Sequence, residues 1–143
     1  MPFEHTWGHR TLYKRFFGPT TVREFMLSVE LTQGDARFDQ LMYSINDFSE
    51  ATLPTLSKDD ITLFGALGIG AAFSNRKICI AVVTSDPHAA AMALKYAEIA
   101  PFKLVVLSSR EELDQWLPAA QHVRAAAPES AHQKIPTQPA PPT

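Results

Sequence analysis

The sequence predicts an α/β domain in which helices pack on a mixed sheet of four or five strands. Strand and helix patterns alternate in the order ββαβαβαβα over residues 3–117 of the 143-residue chain, as in sheets covered by helices. Segment 78–84 is strongly apolar and rich in β-branched residues, which is typical of a central strand buried on both faces, and segment 102–107 is a further core strand. Capping residues precede the helical segments at the expected spacing.

The chain begins with a predicted β-hairpin. An extended stretch over residues 3–7 is followed by a turn and by a second strand over residues 11–17. In that second strand we expect Leu12 and Phe16 to alternate against Lys14. The hairpin therefore supplies the first two strands of the sheet.

The first helix is predicted to begin at a capping box formed by Thr21 and Glu24, in which side chains satisfy free N–H groups at the helix start. Apolar residues recur behind it at helical spacing. Gly34 is expected to close this helix in the left-handed conformation. Residues 40–47 follow as the third strand.

The remaining helices are predicted from their N-terminal caps. Ser57 is an N-cap ahead of a helix over residues 58–74. Asp86 and the proline after it begin a third helix over residues 87–99. Ser109 caps a short last helix.

The composition excludes several classes of function. The net charge is -2 and the pI is about 6.2, so there is no strong field to attract nucleic acid. One cysteine, Cys79, cannot form an intramolecular disulfide or a cysteine-rich zinc site. The longest apolar run, residues 61–73, is shorter than the about 20 residues that span a bilayer, and the N-terminal residues do not resemble a secretory signal. We therefore expect a cytoplasmic protein with no membrane span, no nucleic-acid partner, no metal and no other cofactor.

The last 26 residues differ from the rest of the chain. Residues 118–143 hold six of the 11 prolines and few apolar side chains, which predicts an Ala/Pro-rich disordered tail. The predicted domain therefore covers residues 1–117.

Several short motifs follow one another in a characteristic order within residues 11–117. In chain order they are Phe17-Gly18 before the capped helix, the strand end Asn46-Asp47-Phe48-Ser49, the helix start Leu56-Ser57-x-x-Asp60, and the segment Ser109–Leu117 after the last core strand. With these motifs the chain resembles the SpoIIAA-like family, also described as the STAS/SEC14-type domain.

The resemblance implies a SpoIIAA/STAS-like fold and a non-enzymatic protein-interaction module in bacterial signalling. In related domains a partner kinase phosphorylates a serine after an Asp-Leu-Ser strand end, which Asp47-Phe48-Ser49 resembles. Ser57 then falls at the phosphoacceptor position, although the usual Asp-Ser-x-Gly context is replaced by Thr55-Leu56-Ser57-Lys58. A plain helix cap is the alternative role of Ser57. The SEC14 branch of the resemblance implies a lipid or small apolar ligand.

Apolar residues surround the second predicted helix instead of forming one stripe. They are Leu63, Phe64, Leu67, Ile69 and Phe73. A helix that is apolar all round is buried on more than one side. Three explanations are open: other elements of the domain cover this helix, the helix forms a homodimer face, or it lines a pocket for an apolar ligand.

Polar residues lie at the predicted strand ends. Asp86 and His88 follow the strand over residues 78–84, and Asp47 and Ser49 lie at a neighbouring strand end. Open α/β sheets bind ligands at such carboxyl ends, so these four residues could line a polar crevice. Helix capping alone is the alternative explanation of Asp86. A third hypothesis is an enzyme that uses this crevice, but no G-x-S-x-G nucleophile elbow is present, so we predict no catalytic residues.

Two further patterns lack the structural context that they need. Gly65, Gly68 and Gly70 resemble a dinucleotide fingerprint, but they fall inside a predicted helix, where they indicate the close approach of another helix. His5 and His9 have a metal-like spacing only if they lie on a helix, and they fall in the predicted hairpin.

Overall fold

A computed structural model describes residues 3–123 and 132–134 of the chain, and it has the predicted α/β architecture. The strands are β1 (Phe3–Gly8), β2 (Thr11–Pro19), β3 (Tyr43–Thr52), β4 (Cys79–Val83), β5 (Lys103–Leu107) and β6 (His132–Lys134). The α-helices are α1 (Val22–Gln33), α2 (Lys58–Ala72), α3 (Pro87–Ile99) and α4 (Arg110–Trp116). Two short 3₁₀ helices cover Ala36–Gln40 and Ala119–Gln121.

The sheet is mixed, as predicted, with the strand order β5-β4-β3-β2-β1-β6. Strands β2, β3, β4 and β5 pair in parallel, whereas β1 is antiparallel to both β2 and β6. Parallel neighbours need a crossover connection, and α1, α2 and α3 supply the three crossovers between β2 and β5. The carboxyl ends of β2, β3 and β4 therefore meet at one edge of the sheet.

The two faces of the sheet are covered by different elements. Side chains of Lys14, Asn46 and Val82, on three neighbouring strands, face the layer formed by α1, α2 and α3. The side chains one residue along face the other way, where Ile45 packs in a core cluster with Leu113 of α4. This alternation follows from the two-residue period of a strand, and it decides which residues meet in a site.

The predicted helix caps are confirmed. The Thr21 hydroxyl accepts a hydrogen bond from the Glu24 backbone N–H at 3.1 Å, and the Glu24 carboxylate accepts one from the Thr21 N–H at 2.9 Å. Side chains of Ser57, Asp86 and Ser109 accept from backbone N–H groups at the starts of α2, α3 and α4 in the same way. Local sequence therefore determines where all four helices begin.

Two local predictions between α1 and β3 are wrong. Gly34 lies in the right-handed region, with φ −84° and ψ −5°, because the chain continues directly into a 3₁₀ helix that Asp35 caps. The segment Ala36–Gln40 is this 3₁₀ helix, so the third strand begins later than predicted, at Tyr43. It also continues to Thr52, where it still pairs with the end of β2.

The folded part continues past residue 117, where the predicted domain ends. Val123 is buried and belongs to the same core cluster as Leu117, and the Thr11 hydroxyl donates a hydrogen bond to the Gln121 side chain. Segment His132–Lys134 adds β6 to the edge of β1. The rest of the predicted tail, residues 124–131 and 135–143, lies outside the described residues. Within the described part of the chain, no helix has the length and apolar character needed to cross a membrane.

Candidate functional site

A cavity of about 190 Å³ lies between the sheet and the layer of α1, α2 and α3. Its walls are mainly apolar side chains from all three helices and from the sheet. They include Phe25, Phe48, Phe64, Leu67, Met92 and Leu104. Small-molecule sites have this character, an apolar chamber with a few polar groups at defined positions.

The cavity reaches the surface at the carboxyl-end edge of the sheet. Thr21 follows β2, and Asp86 and His88 follow β4, and all three contribute to the cavity lining. Three residues that follow β3 also line it, namely Leu53, Pro54 and Leu56. Thr21, Asp86 and His88 are exposed, so this end of the cavity contacts solvent. The opening lies where parallel sheets commonly bind ligands.

A row of polar side chains crosses the inner wall of the cavity region. His5 of β1 pairs with Lys14 of β2, and Lys14 pairs with Asn46 of β3. All three are buried, and only 4% of the Lys14 surface is exposed. Lys14 and Asn46 line the cavity, together with Ser44, two residues before Asn46. The apolar chamber therefore has a polar floor.

Within the described part of the chain, the Lys14 ammonium has no counter-ion. No ion pair or hydrogen bond to the Lys14 amine is found among the described residues, and none is found there to the side chains of Ser44 and Asn46. Burial lowers the pKa of Lys14 from 10.5 to about 7, since the charged form is poorly solvated. The side chain therefore changes its charge near neutral pH.

His5 is the titratable neighbour of Lys14. Its Nε2 lies 2.8 Å from the Ser28 hydroxyl of α1, a hydrogen bond that fixes the ring between the sheet and the helix. Burial, followed by the charge of Lys14, lowers the pKa of His5 from 6.5 to about 3 despite an opposing effect of Asp35. At neutral pH the imidazole is uncharged and adds no second cation to the floor.

The prediction that Leu12 and Phe16 alternate against Lys14 is wrong. Residues two apart in a strand point to the same face, and Leu12, Lys14 and Phe16 are all buried on the helix side of the sheet. That spacing was the available signal, because it places Lys14 on the same face as two apolar residues that are expected to be buried. Sequence reasoning did not include Lys14 among the site residues.

The five apolar residues predicted to surround the second helix divide between two surfaces. Phe64 is buried and lines the cavity with the half-buried Leu67. Leu63, Ile69 and Phe73 are exposed, and 87% of the Phe73 surface is accessible. Helix α2 therefore contributes both to the cavity and to an outer apolar surface.

Two glycines bring α2 close to α3. A Cβ atom at Gly65 would lie 2.8 Å from the Ile99 Cβ, and one at Gly68 would lie 2.8 Å from the Ala100 Cβ. Both distances are shorter than van der Waals contact, so the predicted close helix approach is confirmed at these positions. Gly70 has no neighbouring atom within 4 Å of such a Cβ, and there the prediction is wrong.

The four residues of the predicted crevice do not form one site. Asp86 and His88 lie at the mouth of the cavity. Asp47 is fully buried on the opposite face of the sheet, where it accepts hydrogen bonds from Arg110 Nε at 2.7 Å and from the Ser49 hydroxyl at 2.6 Å. Strand parity separates the two pairs, because Asn46, not Asp47, faces the helices.

The carboxylate of Asp47 belongs to a structural network. The Tyr13 hydroxyl also donates to it, and Arg110 connects it to Glu50. Burial by itself raises the pKa of Asp47, but the hydrogen bonds from Ser49, Tyr13 and Arg110 outweigh this effect and lower it. Asp47 is thus an ionised anchor for α4.

Ser57 lies on the exposed start of α2 and caps it, with its hydroxyl 3.0 Å from the Asp60 N–H that donates to it. The capping role is therefore present in the structure, and phosphorylation of Ser57 stays a prediction. The described residues contain no group of three or more histidine, cysteine, aspartate or glutamate side chains that could hold a metal ion.

Comparisons of the chain with models of protein families, with curated proteins and with solved structures found no match. The resemblance to the SpoIIAA-like family therefore stays a prediction.

Proposed function

We propose that this protein is a binding module that holds one small, mainly apolar ligand in the cavity between the sheet and α1, α2 and α3. The observation that carries the proposal is the cavity itself, about 190 Å³ in volume and lined mainly by apolar side chains. An apolar cavity of about 150 Å³ is large enough to bind benzene in another protein. By proportion, this cavity holds a ligand of about eight non-hydrogen atoms.

The size of the ligand limits its affinity. Small ligands gain about 0.5 to 1 kcal/mol per non-hydrogen atom, so about eight atoms give a Kd between roughly 1 mM and 1 µM. Binding of this strength is measured with a method that detects exchange between free and bound protein at high ligand concentration, such as NMR.

The direct test is a titration with toluene, a neutral apolar probe, followed by ¹H–¹³C NMR of methyl groups. We expect saturable shifts in the cavity-lining Val29, Ile61 and Leu67, and none in residues of the opposite face, such as Leu113. If no saturable shift occurs with toluene in the millimolar range, the proposed function is wrong.

Two alanines of α3 provide a matched pair of variants. Ala93 lines the cavity, whereas Ala91, two residues earlier on the same helix, is exposed and does not. Ala93→Leu fills part of the cavity and should weaken toluene binding at least tenfold. Ala91→Leu adds the same atoms outside the cavity and should leave binding unchanged.

A second candidate function is self-association through the outer face of α2. Leu63, Ile69 and Phe73 favour it, because these large apolar side chains are exposed on α2 and at its C-cap. This is the protein-interaction function that the resemblance to the SpoIIAA-like family implies. Sedimentation should then show a concentration-dependent dimer that Phe73→Glu dissociates. A monomer at all concentrations up to about 100 µM would contradict it.

A further inference from the structure

We propose that the ligand of this cavity is a monocarboxylate with a short apolar body, and that its carboxylate pairs with the ammonium of Lys14 at the polar floor. The inference rests on the proposed function and adds the chemical class of the ligand and its orientation.

The first argument is the charge distribution in the cavity. Four titratable residues are among its lining residues, namely Lys14, Asp86, His88 and Tyr96. Asp86 and His88 are exposed at the mouth, and burial raises the pKa of Tyr96 to about 12, so its hydroxyl stays neutral. Among the described residues, Lys14 is therefore the one cation on the inner wall of the cavity.

As far as the structure describes them, the elements packed around Lys14 provide no anion to balance it. On β1 its neighbour is the neutral His5, and on β3 its neighbours are Ser44 and Asn46. The described parts of α1 and α2 contribute no titratable side chain to the cavity lining. A buried charge is unfavourable unless it is paired and hydrogen-bonded. A ligand that pairs with the Lys14 ammonium is therefore an anion.

The second argument is the hydrogen-bonding capacity of the floor. Ser44 and Asn46 line the cavity, and no hydrogen bond to either side chain is found among the described residues, so both are free to bond to a ligand. A serine hydroxyl and an asparagine amide can both donate to a carboxylate, which accepts through two oxygens. Ammonium, hydroxyl and amide together match a carboxylate better than they match a neutral apolar group.

The third argument is the shape of the cavity. The three polar groups of the floor lie on the sheet, while the walls toward α2 and α3 carry the apolar side chains of Phe64, Leu67 and Met92. A carboxylate on Lys14 directs an apolar body along these walls. Hexanoate, with eight non-hydrogen atoms, fits the size that the volume allows.

Protonation of Lys14 gives the complex a defined pH dependence. The carboxylate binds the protonated amine, and in the free protein the pKa of this amine is about 7. Above pH 7 hexanoate affinity should fall about tenfold per pH unit, with uptake of up to one proton on binding. Below pH 7, down to the pKa of the ligand, the affinity should be constant.

The test compares hexanoate with hexanamide, its neutral isostere, by NMR titration at pH 6.5 and by calorimetry in two buffers at pH 8. We expect hexanoate to bind at least tenfold more tightly than hexanamide at pH 6.5. Lys14→Met should remove this preference and keep hexanamide binding. Lys103→Met, a control at an exposed lysine of β5, should change neither.

The outcomes separate this inference from the proposed function. If toluene and hexanamide bind but hexanoate has no advantage, or if Lys14→Met binds hexanoate as well as the original chain does, the carboxylate inference is overturned and the cavity function stands. If none of the three probes binds, both are overturned.

Discussion

The charge state of Lys14 should make the stability of the fold depend on pH. Burial lowers the pKa of this amine from 10.5 to about 7, so between these values the unfolded chain binds a proton that the folded chain does not. Stability therefore rises with pH across this window. The shift of 3.5 pKa units corresponds to at most about 5 kcal/mol, and the rise is about 1.4 kcal/mol per pH unit.

Replacing Lys14 with methionine removes the titratable amine. The methionine side chain is apolar, unbranched and of similar length, so it fills the same place. At pH 7 the variant should be more stable than the original chain by up to about 5 kcal/mol, and the difference should shrink toward zero near pH 10.5. Urea unfolding of both proteins at pH 7, 8, 9 and 10 measures it.

Comparison of the two proteins at each pH cancels the titration of all other groups, including Tyr96. A difference in unfolding free energy that stays constant from pH 7 to pH 10 would falsify the claim that Lys14 is buried and unpaired.

Three further predictions concern other parts of the fold. Gly68→Ala should lower the free energy of unfolding by about 1–3 kcal/mol, since its Cβ would overlap Ala100, the C-cap of α3. Gly70→Ala should raise it by up to about 1 kcal/mol, and equal effects of the two changes in urea unfolding would contradict this. Asp47→Asn should cost about 1–3 kcal/mol in the same assay, because it removes the charge of a buried carboxylate that pairs with the partly exposed Arg110, and a neutral result would show that the pair contributes nothing. His5→Gln should make the protein lose less stability between pH 6.5 and pH 4. In this range the unfolded original chain binds a proton at His5 that the buried imidazole does not bind. If the loss of stability in acid is unchanged, His5 is not its source.

The helices were the most predictable part of the fold. Each begins at a capping residue whose side chain bonds to a backbone N–H two or three residues away, and such contacts need no tertiary partner. Boundaries that depend on other strands were less predictable. The third strand extends to Thr52 because β2 runs beside it that far, and the sequence from Phe48 to Thr52 carries no comparable signal.

The candidate site was only partly predictable. Asp86 and His88 lie at the mouth of the cavity, and Phe64 and Leu67 line it, but the expected grouping of Asp86 with Asp47 does not occur. Asp47 and Asn46 are adjacent in sequence and lie on opposite faces of the sheet. Assigning the correct face required knowing which side the helices cover.

The order of elements, the helix starts and a close helix approach at Gly65 and Gly68 could be read from the sequence, since these depend on local hydrogen bonds and on side-chain size. The identity of the approaching helix as α3, and the cavity that α1, α2 and α3 enclose over Lys14, follow from tertiary packing. A lysine is exposed in most strands, and Lys14 is buried here because three helices cover its face of the sheet and two strands flank it, without an anion among the described residues.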